Sequence, residues 1–207
     1  MNQSRLSGLY VITDPKLIPS GIDTLVSYVR EALEGGARIV QYRNKLASAK
    51  EQVLEAAELR KLTHEYGALL LINDSVSLCL DVDADGVHIG QSDGKLSEAK
   101  SQLGDKLLGI TCHDSLALAE QAIKHGADYC AFGAVYPSST KPSAAPCSLA
   151  RLREASKLPV PICAIGGIEA NNASSVLDQG IDMLAVISGV FGQSSIRASA
   201  KSLASLF

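Results

Sequence analysis

The 207-residue chain contains no tryptophan, only three phenylalanines and two methionines, and its aromatic content is 4%. Its formal net charge is -3. It therefore lacks the basic excess that marks proteins bound to nucleic acid or to anionic membrane surfaces, and neither partner is expected. No apolar run approaches the ~20 residues of a membrane-spanning helix. The opening Met1-Asn2-Gln3-Ser4-Arg5 does not read as a signal peptide. The five cysteines, Cys79, Cys112, Cys130, Cys147 and Cys163, are odd in number, scattered, and form no C-x-x-C pair. They exclude a disulfide framework and read as small buried hydrophobes in a reducing cytoplasm. The first strand-like run continues Ile12-Thr13-Asp14-Pro15, without a Gly-x-Gly-x-x-Gly. That counts against an open dinucleotide-binding sheet. There is no linker and no low-complexity segment; Pro137 to Pro146, rich in Ser, Pro and Ala, is the one stretch that reads as a long mobile loop.

With 46% hydrophobic and 20% charged residues, the chain supports one sizeable core and is short for two, so a single domain over residues 1–207 is expected. Short apolar runs recur at Leu9 to Thr13, Ile39 to Tyr42, Leu69 to Ile72, Gly86 to Ile89, Leu107 to Thr111, Tyr129 to Gly133, Val160 to Ile165 and Met183 to Ser188. Unbroken apolar runs of this length are typical of parallel strands buried on both faces. Between them lie segments with helical spacing: Leu25, Val29, Ala32 and Leu33; Val53, Leu54, Ala57 and Leu62; Leu116, Ala119, Ala122 and Ile123; Ile196, Ala200, Leu203 and Leu206. Glycines close several of these segments, as in Gly35-Gly36, Gly67, Gly126 and Gly180. These turns resemble one another, as though one unit recurs every ~25 to 30 residues. Eight strands alternating with helices predict an α/β protein, a single (β/α)₈ TIM barrel.

A barrel places its site at the C-terminal ends of its strands. The third run stops at Asn73-Asp74, and the fourth leads to Gln91-Ser92-Asp93. Two carboxylates near one point, with amide and water oxygens, suit Mg²⁺. The same aspartates also read as helix N-caps. Strand two ends Gln41-Tyr42-Arg43-Asn44-Lys45, with Gln41, Arg43 and Lys45 expected on one side. Two cations beside a Mg²⁺ site point to a diphosphate, whose oxygens all three neutralise. At strand five, Thr111 is placed either to hydrogen-bond a ligand or to cap a helix, and His113 either to act as acid or base or to face solvent. His88, inside an apolar strand, reads as a core group or one that supports a neighbour; Cys112 has no evident base and makes an improbable nucleophile. After strand six, Ser138, Ser139, Thr140 and Lys141 read as lid residues that hold phosphate, or as a solvated loop. Gly166-Gly167 at strand seven and Ser188-Gly189 at strand eight would let main-chain N–H groups approach an anion, or would serve tight packing.

Taken together these motifs resemble the thiamine-phosphate synthase family almost end to end. The resemblance rests on Tyr10-Val11-Ile12-Thr13-Asp14, Gln41-x-Arg-x-Lys45, Ile72-Asn73-Asp74, Gly86-Val87-His88-Ile89-Gly90-Gln91-x-Asp93, Gly133 through Thr140-Lys141, Ile165-Gly166-Gly167-Ile168 and Val186-Ile187-Ser188. It implies a transferase that joins a pyrimidine methyl diphosphate to a thiazole phosphate and releases pyrophosphate. It further implies Mg²⁺ on Asp74 and Asp93, and a pyrimidine diphosphate held by Gln41, Tyr42, Arg43, Asn44, Lys45, Asn73, Thr111 and Lys141. Arg43, Lys45, Thr111 and Lys141 would be the catalytic set. The thiazole phosphate would lie against Ser138, Ser139, Thr140, Gly167, Ile187 and Ser188. Three positions depart from the family's commoner pattern: Thr111 stands in place of Ser, Ser138 in place of Thr, and Ser75 in place of Arg. A thiazole tautomerase of the same fold, using His113, and a non-catalytic phosphate-binding barrel are the alternatives. A homo-oligomer is compatible with all three.

Overall fold

The protein is described here by a computed structural model covering residues 5–91, 96–137 and 146–207. The strands are β1 (Gly8–Ile12), β2 (Ile39–Tyr42), β3 (Leu69–Asn73), β4 (Gly86–Ile89), β5 (Leu107–His113), β6 (Tyr129–Phe132), β7 (Ile162–Ile165) and β8 (Met183–Val186). They alternate with helices α1 (Ile22–Glu34), α2 (Ala49–Glu65), α3 (Val76–Asp81), α4 (Leu96–Leu103), α5 (Leu116–Lys124), α6 (Leu149–Ala155) and α7 (Ala173–Leu177). A short α8 (Ser188–Phe191) and then α9 (Ile196–Ala204) follow β8. Every strand pairs in parallel with its sequence neighbour, and β8 returns to β1 through Leu9↔Leu184 and Val11↔Val186, closing an eight-stranded (β/α)₈ TIM barrel.

The strands are largely apolar because both faces are buried. Leu69 and Leu71 point into the barrel with Tyr10, Ile12, Tyr129 and Met183. Leu70 and Ile72 point out, into the layer beneath the helices. The five cysteines are free and buried.

Serine does most of the helix capping. Ser48, Ser75, Ser115, Ser148 and Ser195 each accept a first-turn backbone N–H, and Ser48 forms a capping box with Glu51. A second repeating device closes the N-terminal end of the barrel. Asp85, Asp128 and Asp182 immediately precede β4, β6 and β8. Each accepts the backbone N–H of the preceding strand at 2.8 Å, from Leu70, Leu108 and Ile162 respectively. Arg60 and Lys100 pair with the first two, at 3.3 and 3.0 Å. Two of the recurring glycine turns, at Gly126 and Gly180, hand the chain to such an aspartate, Asp128 and Asp182.

Some expected positions shift. On α2 the inward face is Ala56, Leu59, Leu62 and Thr63, whereas Val53 and Leu54 are 39% and 52% exposed. The helix is turned so that Glu55 meets the Tyr42 hydroxyl at 2.6 Å and the Asn44 amide at 2.9 Å, which carries Val53 and Leu54 outward. Leu206 lies beyond the end of α9 and is exposed. Strand β7 starts at Ile162, later than the apolar run, because Pro161 has no N–H for the ladder. Strand β8 stops at Val186, since Ile187 already accepts the first bonds of α8.

Candidate active site at the barrel mouth

The end of β3 shows how the mouth is built. Asp74 follows the strand with a left-handed backbone, φ 63. Such a conformation costs a non-glycine residue about 1–2 kcal/mol, least for Asn and Asp. Ser75, not Asp74, caps α3, its hydroxyl accepting the Leu78 N–H at 3.1 Å. That removes the helix-cap reading of Asp74. Its carboxylate instead accepts the Asn73 amide at 2.7 Å and pairs with Lys45 Nζ at 2.9 Å.

Strand β2 ends at Tyr42, so the expected alternation of Gln41, Arg43 and Lys45 does not persist. The three side chains diverge instead. Gln41 is buried inside the barrel and donates to the Tyr10 hydroxyl at 2.5 Å. Arg43 reaches back towards β1, 3.8 Å from Asp14, and Thr13 grips its backbone at 2.8 and 3.1 Å. Lys45 crosses to Asp74 on the β3 side. Tyr42 and Asn44 serve the walls: both side chains are held by Glu55, and Asn44 Oδ1 also accepts the N–H groups of Leu46 and Ala47 at 3.1 Å. Between β2 and β3 lies an open cleft of about 210 Å³, lined by Arg43, Lys45, Asn73 and Asp74 among others. Two cations and a carboxylate stand on its walls, groups of the kind that could hold phosphoryl oxygens and a divalent ion.

A polar chain crosses the barrel interior beneath this cleft. The Tyr10 and Tyr129 hydroxyls are 3.1 Å apart, Tyr129 lies 2.8 Å from His88 Nδ1, and His88 Nε2 lies 2.9 Å from Thr111 Oγ1. The Tyr129 and His88 rings stack with centroids 5.5 Å apart. Burial pushes both phenols up, so they stay protonated. Thr111 is thus neither a cap nor isolated; Gln91 also donates to its carbonyl at 2.6 Å. His88 supports a neighbour, as its place in an apolar strand implied. His113 is exposed, with φ 54 at a bulge in β5. A hydrogen bond with Cys130, and then burial, push the Cys112 thiol up, which disarms it as a nucleophile.

On the opposite side of the mouth the wall is backbone. Gly166 and Gly167 have φ 108 and φ 60. A Cβ on Gly167 would stand 2.5 Å from the Pro137 carbonyl oxygen, and one on Gly166 would stand 2.6 Å from Ala134 Cα. These glycines are required by the close passage of the segment after β6. Asn172 secures the turn by donating to the Gly167 carbonyl at 3.0 Å. The end of β7 does not enter a helix at once, since α7 begins at Ala173. The end of β8 does: Ile187 is the N-cap and Ser188 the first residue of α8, and the Ile187 carbonyl accepts the N–H groups of Val190 and Phe191 at 3.2 and 2.9 Å. Asp93, Ser138, Ser139, Thr140 and Lys141, and the loop from Pro137 to Pro146 except its two ends, lie outside the described residues.

Sequence reasoning gave no role to Asp14, Glu55, Tyr10 or Tyr129, although Tyr10 and Asp14 lie in one of the motifs that carry the resemblance. The two tyrosines carried one faint signal, a phenol within an otherwise apolar strand. The pairings of Asp14 and Glu55 carried none, because their partners come from other elements.

Comparison with known proteins shows the family. A family model described as thiamine monophosphate synthase matches residues 9–190. The chain belongs to that family. It is 49% identical over 205 residues to the thiamine-phosphate synthase of Thioalkalivibrio sulfidiphilus, covering 98% of this chain and 96% of that protein. It is 46% identical to the enzyme of Alcanivorax borkumensis, with 98% and 95% covered. A solved structure of thiamine phosphate pyrophosphorylase from Pyrococcus furiosus superposes with a TM-score of 0.90 at 40% identity, over 98% of this chain and 96% of that one. The activity is that of a thiamine-phosphate synthase, a transferase of thiamine biosynthesis. A 3-hexulose-6-phosphate synthase structure, at 15% identity and TM-score 0.73, shares the barrel alone.

Proposed function

We propose that the chain joins a pyrimidine methyl diphosphate to a thiazole phosphate, releasing pyrophosphate and forming thiamine phosphate. The observation that carries this reading is the cleft between β2 and β3, where Arg43 and Lys45 stand beside Asp74. No protein nucleophile is needed, because the thiazole nitrogen attacks the methylene carbon. The chain's task is to draw off pyrophosphate, and Arg43, Lys45 and Lys141 do so by neutralising its growing charge. Thr111 and Asn73 help hold the pyrimidine diphosphate. Gln41 supports the interior beneath it, and Tyr42 and Asn44 shape the wall. Gly167, Ile187 and Ser188, with Ser138 to Thr140, receive the thiazole phosphate at strands seven and eight, where barrels often bind phosphate beside a short extra helix such as α8. Holding the thiazole in line contributes the rest.

Asp74 and Asp93 are the proposed Mg²⁺ ligands. Among the described residues, no group of three or more His, Cys, Asp or Glu is placed to hold a metal. Mg²⁺ fits this donor set nonetheless, since it is commonly held by one or two carboxylates with substrate phosphates and water. When bound, it would offset charge on the diphosphate. Among the described residues no helix is long and apolar enough to cross a membrane. The five buried free thiols favour a cytoplasmic enzyme, and its partners are the two small-molecule substrates.

The test mixes purified protein, Mg²⁺ and the two phosphorylated precursors. Thiamine phosphate, detected by its fluorescence after oxidation, is the expected product; none with both precursors present refutes the reading.

A further inference from the structure

The chain of hydrogen bonds from Gln41 to Thr111 has a direction. The Gln41 amide nitrogen can only donate, so the Tyr10 oxygen accepts from it. The one Tyr10 proton then goes to Tyr129, and the one Tyr129 proton goes to His88 Nδ1. A ring nitrogen that accepts carries no proton, so the imidazole hydrogen is on Nε2, which donates to Thr111 Oγ1. Thr111 has accepted a bond and keeps its own O–H to give. We infer that Tyr10, Tyr129 and His88 are positioning residues whose directed hydrogen bonds hold His88 as its Nε2–H tautomer and present the Thr111 hydroxyl, as a donor, to the pyrimidine diphosphate.

The inference rests on the reading that places Thr111 at that substrate. The run begins on Gln41 at the end of β2 and finishes at the end of β5, so it spans the inside of the mouth. Both phenols belong to the buried interior cluster, where an unsatisfied hydroxyl is costly and a satisfied chain is stiff. Among the described residues, no buried side-chain nitrogen or oxygen lacks a hydrogen-bond partner. Reversing every donor would require the Gln41 amide to turn over. It would also consume the Thr111 proton on His88, leaving Thr111 as an acceptor facing an anionic ligand. The two directions therefore predict opposite tautomers of one histidine.

The first arm of the test uses unliganded, ¹⁵N-labelled full chain. Long-range proton–nitrogen correlation reads the ring of His88, distinguished from the chain's other three histidines by its loss in His88→Gln. The expected pattern is a protonated Nε2 and a bare Nδ1, with the Nδ1 resonance moving in Tyr129→Phe. A protonated Nδ1 overturns the inference. The second arm is kinetic. Thr111→Val is expected to lower kcat/KM for the pyrimidine diphosphate by about 30-fold, as for one lost bond to a charged group. Thr111→Ser should retain activity. Tyr129→Phe is expected to cost about fivefold, with KM for the thiazole phosphate unchanged. If the tyrosine acts through Thr111, the double variant Tyr129→Phe/Thr111→Val is no worse than Thr111→Val alone, whereas independent effects multiply to about 150-fold. Multiplication overturns the relay and leaves Thr111 at the substrate. A fully active Thr111→Val removes Thr111 from the substrate, and the inference with it. Should Tyr129→Phe fail to fold, Tyr10→Phe carries the same cycle.

Discussion

The two ends of the barrel carry aspartates at comparable places in the repeat and use them in opposite ways. At the N-terminal end, Asp85, Asp128 and Asp182 each accept a strand N–H at 2.8 Å. They act as extra rungs between strands. At the C-terminal end, Asp14 and Asp74 take no strand N–H. Asp14 faces Arg43, and Asp74, on left-handed backbone, faces Lys45 and Asn73. A carboxylate whose partner is a backbone amide is committed to the fold. A carboxylate whose partner is a mobile ammonium, 61% exposed, can exchange that partner for a ligand. One residue type in one repeating unit thus ties strands together below, while above it the proposed metal ligand Asp74 is held by side chains alone.

The strongest way to break this comparison is Asp74→Asn. It removes the charge while keeping the shape and a residue that tolerates φ 63. Turnover should fall by about 10²-fold or more, on the scale of losing a preorganised electrostatic group. EDTA should abolish turnover in the parent protein and added Mg²⁺ restore it. The melting temperature should stay within about 2 °C, because no strand bond is lost. A variant that melts early but turns over normally would move Asp74 to the structural class.

Gly167→Ala sharpens the comparison by testing a proposed phosphate contact that is also tightly packed in the fold. The sequence reading placed this glycine against a phosphate. The structure places a would-be Cβ 2.5 Å from the Pro137 carbonyl oxygen, at φ 60. Overpacking and left-handed strain together predict a loss of about 2–4 kcal/mol, hence a melting point lower by about 4–16 °C for a chain of this size. Calorimetry without ligand checks it. An unchanged melting point, with KM for the thiazole phosphate raised, would leave the proposed phosphate, and not packing, as what the glycine makes room for.

At the other end, Asp128→Ala strands the Leu108 N–H and leaves the Lys100 ammonium with the Lys106 carbonyl; the two donors share one carboxylate oxygen in the parent. An unsatisfied, partly buried donor predicts about 2 kcal/mol of lost stability, seen as a shift of about 4–8 °C. Turnover at 20 °C should stay within twofold. A large loss of kcat in a folded variant would mean that the bottom of the barrel is coupled to the mouth.

What could be read in the sequence divides along similar lines. Strand order and barrel closure were legible because parallel strands buried on both faces leave unbroken apolar runs, such as Leu69 to Ile72. The side chains of the β2–β3 cleft were legible as residue types, since Arg43, Lys45 and Asp74 have few reasons to end apolar strands. Their pairing was not. Alternation put Arg43 and Lys45 on one side, but β2 ends at Tyr42, and each cation turned to a carboxylate from another element. The inward face of α2 was misread because Glu55, a polar residue, governs its rotation through Tyr42 and Asn44. The glycine wall was legible only as composition. Whether Gly166-Gly167 admits a ligand or a neighbouring strand end depends on a contact with Pro137, thirty residues upstream.

The smallest expected effect is at His113, the residue on which a tautomerase reading depends. It also ends a strand at the mouth on left-handed backbone, φ 54, and so resembles Asp74 in all but its contacts. Its carbonyl accepts the Gly133 N–H at 3.0 Å, while its side chain is exposed beyond the bulge in β5. The imidazole that touches the interior belongs to His88, whose Nε2 meets Thr111. Asn is the informative replacement, because it removes the imidazole and still accepts a positive φ. His113→Asn should leave the coupling of the two precursors within about tenfold of the parent, a barrier change of no more than about 1.4 kcal/mol. General acid–base transfer is typically worth 10² to 10⁴. A hundredfold loss in the folded variant would therefore place a proton on His113 during the reaction, and the mouth of this barrel would hold two working histidines.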